Sequence, residues 1–229
     1  MRIDKFLSQM KYGSRKEIKE MIKAKKIFVD EVLILDADYE VDPNTQHVYI
    51  NNEKVFYQET IYLMLYKPKG YLSAHHDQIH RCAIDLIPPP YNRFDLSIAG
   101  RLDLDAEGLL ILSNDGSFIH RVTHPKSHLP KTYEVILDQN FTHEKEMLMG
   151  LEIKDGKNET YRAQALSLKI DHNHVIIVID EGKFHQVKRM FGACGYQVLN
   201  LKRTHIGKLA LGNLEPGACQ LIRKEDLYD

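Results

Sequence analysis

The chain has 229 residues, 43% of them hydrophobic and 28% charged, with a formal net charge of -1. That is material for one large domain, or for a medium domain plus a small one, and it excludes a wholly disordered chain. No signal-peptide core opens the sequence, apolar runs such as residues 175–179 are far too short for a bilayer, and three scattered cysteines (Cys82, Cys194, Cys219) fit reduced thiols, so a soluble, cytoplasmic protein without a membrane partner is expected.

In the opening segment Ile3, Phe6, Leu7 and Met10 fall on one face of a short helix. Tyr12-Gly13 breaks it, and Ser14 with Glu17 three residues on forms the capping box of a second helix. That helix turns Ile18, Met21 and Ile22 inward, while Arg15, Lys19 and Lys23 recur every four residues along another face, beside Lys16. Short β-like runs follow at 27–29, 32–35 and 47–50. Residues 1–27 hold nine Lys/Arg against three Asp/Glu, whereas 28–58 hold one against seven. The near-neutral total therefore conceals segregated charge, as a localised phosphate-binding surface requires. The segments RIDKFLSQ, GSRKEIKEMIK and KIFVDEVLI together resemble the S4-type RNA-binding domain, over residues 1 to 58. The resemblance implies a grip on structured RNA through phosphate contacts, with Arg15, Lys16, Lys19 and Lys23 as its candidates.

Residues 51–60 are polar and read as a linker to a second domain, 59–229. Beyond it β patterns dominate, at 61–66, 109–112, 132–137, 161–170, 175–180 and 197–201. Helical patterns occupy 118–122, 142–149 and 185–192. Strands joined by short polar turns predict an α+β domain around a largely antiparallel mixed sheet. Pro88-Pro89-Pro90 predicts a stiff loop. Two more basic stretches lie here. Residues 116–133 carry Arg121, Lys126 and Lys131 with no acid, and residues 182–214 carry six Lys/Arg with none.

Several chemistries lack their signatures. The chain has no G-x-G-x-x-G, no Walker P-loop, no G-x-S-x-G elbow and no C-x-x-C, and the H-E pair at 143–144 meets Met147 where a zincin needs histidine. The informative stretch is SIAGRLDLDAEGLL, residues 97–110. Gly100 and Gly108 bracket an irregular segment, and Arg101 and Asp103 are two apart, on one face of an extended chain. The pattern alone leaves Asp103 open as a turn residue or ion-pair partner.

GRLD at 100–103 with a glycine and apolar residues after it resembles the catalytic-aspartate motif of pseudouridine synthases. In the order that family shows them, KTYEV at 131–135 resembles its K-x-Y strand, and EGKFHQVKRMF at 181–191 its basic motif. LYKPKG at 65–70 is similar to its N-K-P-x-G element except at Tyr66, and LKRTHIG at 201–207 to its L-x-R-x-x-I-G element. These elements span nearly all of residues 61–210. Together with the S4-type domain and the HQVKRMF form they point to the RsuA subgroup. The chain departs from the pattern at Ala106, where relatives usually have Ser or Thr.

The resemblance implies isomerisation of a uridine in 16S ribosomal RNA, free or within a small-subunit assembly intermediate, by a monomer that needs no metal or small-molecule cofactor. The alternatives are the same reaction on 23S rRNA and a non-catalytic rRNA-binding assembly factor. It further implies Asp103 as the essential carboxylate, either attacking C1′ or removing a ribose proton. Lys188 is the expected cation that keeps it ionised. Tyr133 is expected to pack on the target uracil, and Arg101 to hold the flipped nucleotide. Arg189 and Arg203 are expected on the RNA-binding surface.

Overall fold

The computed structural model describes residues 1–228, apart from the side chain of Pro125; Asp229, the last residue of the expected second domain, lies outside the described residues. The chain forms two compact units. The first comprises Met1–Thr60 with Pro88–Asp95, and the second Ile61–Ile87 with the chain from Leu96 onward.

In the first unit, α1 (Ile3–Gln9) and α2 (Arg15–Lys23) precede the strands β1 (Ile27–Val29), β2 (Val32–Leu33), β3 (Val48–Ile50) and β4 (Glu53–Lys54). The strands form one antiparallel sheet in the order β2-β1-β3-β4. α2 starts where its cap predicts. Ser14 Oγ accepts from the Glu17 amide at 3.3 Å and Glu17 Oε2 accepts from the Ser14 amide at 2.7 Å. Ile3, Phe6, Leu7, Ile18 and Ile22 are buried against Ile27, Val29 and Val48 of the sheet.

Two readings change here. The polar stretch 51–60 is not merely a linker: it contains β4, buries Val55, and sets Tyr57 edge-on to Phe6. The loop after the proline run also belongs to this unit. Phe94 packs on its core, Lys11 pairs with Asp95 at 2.6 Å, and the Arg93 guanidinium lies 3.8 Å from the Tyr12 ring centroid. Aromatic contacts of this kind join distant stretches and leave no periodicity to read.

The second unit is built on β5 (Tyr62–Lys67), β6 (Ser97–Ala99), β7 (Glu107–Ser113), α3 (Gly116–Thr123), β8 (Lys131–Leu137), α4 (Glu144–Met149), β9 (Leu151–Lys154) and β10 (Thr160–Ala163). It continues through β11 (Ser167–Asp171), β12 (His174–Ile179), α5 (Gln186–Ala193), β13 (Val198–Ile206), β14 (Leu209–Ala210) and β15 (Cys219–Leu221). The main sheet runs β11-β12-β8-β13-β7-β5-β15, with β14 on β13 and β6 on β7, while β9 and β10 pair separately. All its pairings are antiparallel except β13 with β7, so the sheet is mixed and mostly antiparallel, and the protein is α+β.

β12 alternates strictly, burying Val175, Ile177 and Ile179. β5 and β7 are buried along almost their whole length, as befits strands covered on both faces. The parallel contact demands Gly108. At φ 114° its backbone passes so close to β13 that a Cβ would stand 2.2 Å from the Arg203 carbonyl oxygen. The run expected as one strand at 161–170 is two, β10 and β11, separated by residues 164–166.

Candidate active site

The loop from Gly100 to Ala106 leaves the short strand β6 and re-enters the sheet as β7. Almost every part of it is held from behind. The Gly70 amide donates to the Leu104 carbonyl at 2.7 Å. Ser73 Oγ accepts from the Leu102 amide at 3.0 Å and donates to the Leu102 carbonyl at 2.9 Å. Arg203 Nη2 donates to the Gly100 carbonyl at 2.8 Å, and Lys67 Nζ to the Ala106 carbonyl at 2.8 Å. The Ala106 amide closes a turn onto the Asp103 carbonyl at 3.2 Å. Such a loop presents its side chain without paying for ordering at each encounter.

Asp103 is that side chain. It is half-buried, and its two carboxylate oxygens have different partners. Oδ1 lies 3.1 Å from His185 Nε2, and Oδ2 lies 3.1 Å from Lys188 Nζ. Lys188 comes from the first turns of α5 and also reaches the exposed Asp105 at 2.5 Å. Burial alone would depress the Lys188 ammonium, but its bonds to Asp105 and Asp103 outweigh it and raise its pKa. The same bond from Lys188 leads the causes that lower the Asp105 carboxyl. His185 reaches the site because its backbone is left-handed, at φ 53° and ψ 28°, just before α5. Gln186, 3% exposed, fixes this bend: its Oε1 accepts from the Lys183 amide and its Nε2 donates to Glu181, each at 3.0 Å.

Behind the loop stands Lys67, fully buried, its Nζ bonded to the carbonyls of Pro68 and Ala106. Burial pushes its pKa down to about 8, although the nearby charges of Asp103 and Asp105 pull the other way. Tyr66, the position that departs from the family element, donates its hydroxyl to Glu107 at 2.9 Å. Burial and that bond push it up to about 12. Ala106 is fully buried beside Leu102 and Tyr133 in one core cluster, a place where a methyl needs no polar partner.

The remaining expected residues divide. Tyr133 is 7% exposed on β8, opposite Arg203 of β13 and Ile177 of β12. Arg101 is exposed, with no ion pair among the described residues. Arg189 is half-buried, its guanidinium bonded to the Lys154 carbonyl and 5.4 Å from the Phe184 ring centroid. Arg203 requires correction. Expected on the RNA-binding surface, it is 2% exposed, and its Nε and Nη2 bind the carbonyls of Leu109 and Gly100. It braces the loop from within, since the parallel pairing of β13 and β7 encloses it. In the first unit Arg15, Lys16, Lys19 and Lys23 are all exposed on α2, with Lys23 paired to Glu20 at 3.1 Å.

Lys67, His185 and Ser73 were not singled out by residue type and spacing. A lysine ending the apolar run of β5 was the available signal for the first, and the histidine within HQVKRMF for the second. Ser73 offered none. Among the described residues no group of three or more His, Cys, Asp or Glu side chains could hold a metal ion, and no helix is long and apolar enough to cross a membrane.

The chain is similar to known proteins along its whole length. Residues 61–193 match the RNA pseudouridylate synthase family and residues 1–47 match the S4 domain. An uncharacterised RNA pseudouridine synthase of Bacillus subtilis is 41% identical over 100% of this chain and 97% of its own length. The ribosomal small subunit pseudouridine synthase A of Vibrio vulnificus is 34% identical, over 99% of this chain and 98% of its own. A crystal structure of a pseudouridylate synthase superposes with a TM-score of 0.67 at 29% identity, covering 99% of this chain and 98% of that one.

Proposed function

Since the chain belongs to the RNA pseudouridylate synthase family, as an isomerase of its S4-bearing RsuA branch, we propose that it converts one uridine of 16S ribosomal RNA to pseudouridine. Full-length similarity to ribosomal small-subunit enzymes supports the choice of RNA. Residues 1–58 anchor the RNA through Arg15, Lys16, Lys19 and Lys23, and residues 59–229 carry out the chemistry.

The reaction breaks the N1–C1′ bond, turns the uracil, and joins C5 to C1′ while C5 loses its hydrogen and N1 gains one. The observation that carries the assignment of roles is the Asp103 carboxylate, half-exposed on a braced loop and paired with Lys188 at 3.1 Å. Asp103 attacks C1′ or removes a ribose proton to give a glycal. Lys188 keeps it ionised when bound RNA excludes water. The uridine must first leave its stack, at a cost of roughly a few kcal/mol. Tyr133 then forms the floor under the uracil, its hydroxyl serving the proton change at C5, and Arg101 holds the flipped nucleotide.

The test is pseudouridine mapping of 16S transcript, free and with small-subunit proteins bound, after incubation with wild type or Asp103→Asn. One new site with wild type, absent with the variant, is expected. A site in 23S rRNA instead would refute the choice of RNA, and a site made equally well by Asp103→Asn would refute the role of the aspartate.

A further inference from the structure

Phe184 is 56% exposed, yet it lies one residue from the imidazole that touches Asp103. Its ring is nevertheless held in place. One face stacks on His185, with centroids 3.7 Å apart and planes inclined by 20°. Gly156, in the β9–β10 turn, approaches so closely that a Cβ there would stand 3.0 Å from Phe184 Cδ1. The Arg189 guanidinium, tethered to the Lys154 carbonyl, lies 5.4 Å from the ring centroid. A large apolar ring fixed in water costs hydration free energy, and covering it recovers that cost.

The surroundings select the partner. A protein partner would be met by a contiguous apolar patch, but the neighbours of Phe184 along the chain are Gly182, Lys183 and His185. Lys183 beside it is exposed, and the Arg189 guanidinium stands 5.4 Å from the ring centroid. A rigid aromatic face set among cations suits an unpaired nucleic-acid base, whose ring stacks while its phosphates meet the charges.

We infer that the outer face of Phe184 stacks a base of the substrate RNA next to the target uridine, with His185 as the strut that ties this seat to Asp103. The inference rests on Asp103 being the reactive carboxylate, because only then does a base on Phe184 neighbour the extruded uridine. The left-handed backbone at His185 fits this role, since it brings the imidazole to Asp103 while the preceding ring stays 56% exposed.

The experiment titrates full-length wild type, Phe184→Ala, Phe184→Leu and Phe184→Trp with 16S and 23S transcripts by filter binding at several salt concentrations. Turnover is followed as tritium released from C5-labelled uridine. Stacking predicts that Ala and Leu weaken Kd roughly 10-fold and raise KM in step, that Trp restores both, and that the salt slope is unchanged because no phosphate contact is lost. A Kd for Phe184→Ala within about two-fold of wild type on both RNAs would overturn the proposal, as would restoration by Leu or a fall confined to kcat. Binding is read independently of Asp103 chemistry. Turnover on 23S alone would therefore refute the choice of 16S, while the Kd series on 23S still decides the role of Phe184.

Discussion

The buried ammonium of Lys67 donates a 2.8 Å hydrogen bond to the carbonyl of Ala106, and so ties the end of β5 to the turn that carries Asp103. A charge with no solvent exposure is expensive to keep. Here it holds two carbonyls, those of Pro68 and Ala106, that would otherwise lack this partner. Lys67→Met should loosen the turn and lower kcat about 10-fold, as small misplacements of reacting groups do. Steady-state tritium release measures it, and an unchanged kcat would show that the turn stands without the brace.

The same lysine makes stability depend on pH. Burial holds Lys67 at about 8, below the ordinary 10.5. Between those values the unfolded chain keeps the proton and the folded chain has lost it, so this group adds stability as pH rises. The unfolding free energy of wild type minus that of Lys67→Met should therefore grow from pH 8 towards pH 10. Lys131, also held at about 8 by burial, is common to both proteins and cancels. Denaturant titrations across that window check the sign; a flat or falling difference would contradict it.

Lys188 has two carboxylate partners, and only Asp103 is assigned to the chemistry. Lys188→Met should cost about 100-fold in kcat, the scale of losing one charge-stabilising group in an active site. Asp105→Asn should cost less than about 5-fold, because that carboxylate is 74% exposed. Comparable losses from the two substitutions would mean that Asp105 shares the work.

Gly108→Ala places a Cβ at φ 114° against the backbone of Arg203. The strands cannot separate there without loosening Arg203, which binds the Leu109 and Gly100 carbonyls. A loss of roughly 3 kcal/mol or more is expected, read as a lowered Tm. A near-neutral result would show that β13 and β7 can shift apart cheaply.

On α2, reversing Arg15 and Lys19 to Glu should weaken rRNA binding and flatten its dependence on salt, since each phosphate contact adds about one unit to the slope. Both side chains are exposed, so the fold should survive. A salt titration that superposes on wild type would remove α2 from the RNA interface.

Local chemistry was legible in the chain itself. The Ser14–Glu17 capping box starts α2 where its residues predict, alternation marks β12, and of five ordered segments resembling one family two carry Asp103 and Lys188, which the structure sets 3.1 Å apart. These signals act over a few residues, and a cap or a period of two needs no distant partner. Tertiary structure decided what depends on strands meeting across long separations. The parallel contact of β13 with β7 takes Arg203, which reads as one more surface cation, and encloses it against Gly100 and Leu109. Lys67 and His185 became neighbours of the Asp103 loop only when β5 and the bend before α5 arrived there. Sequence spacing carries the period of each element, whereas the cost and value of a charge depend on burial and partners, which only the assembled sheet supplies.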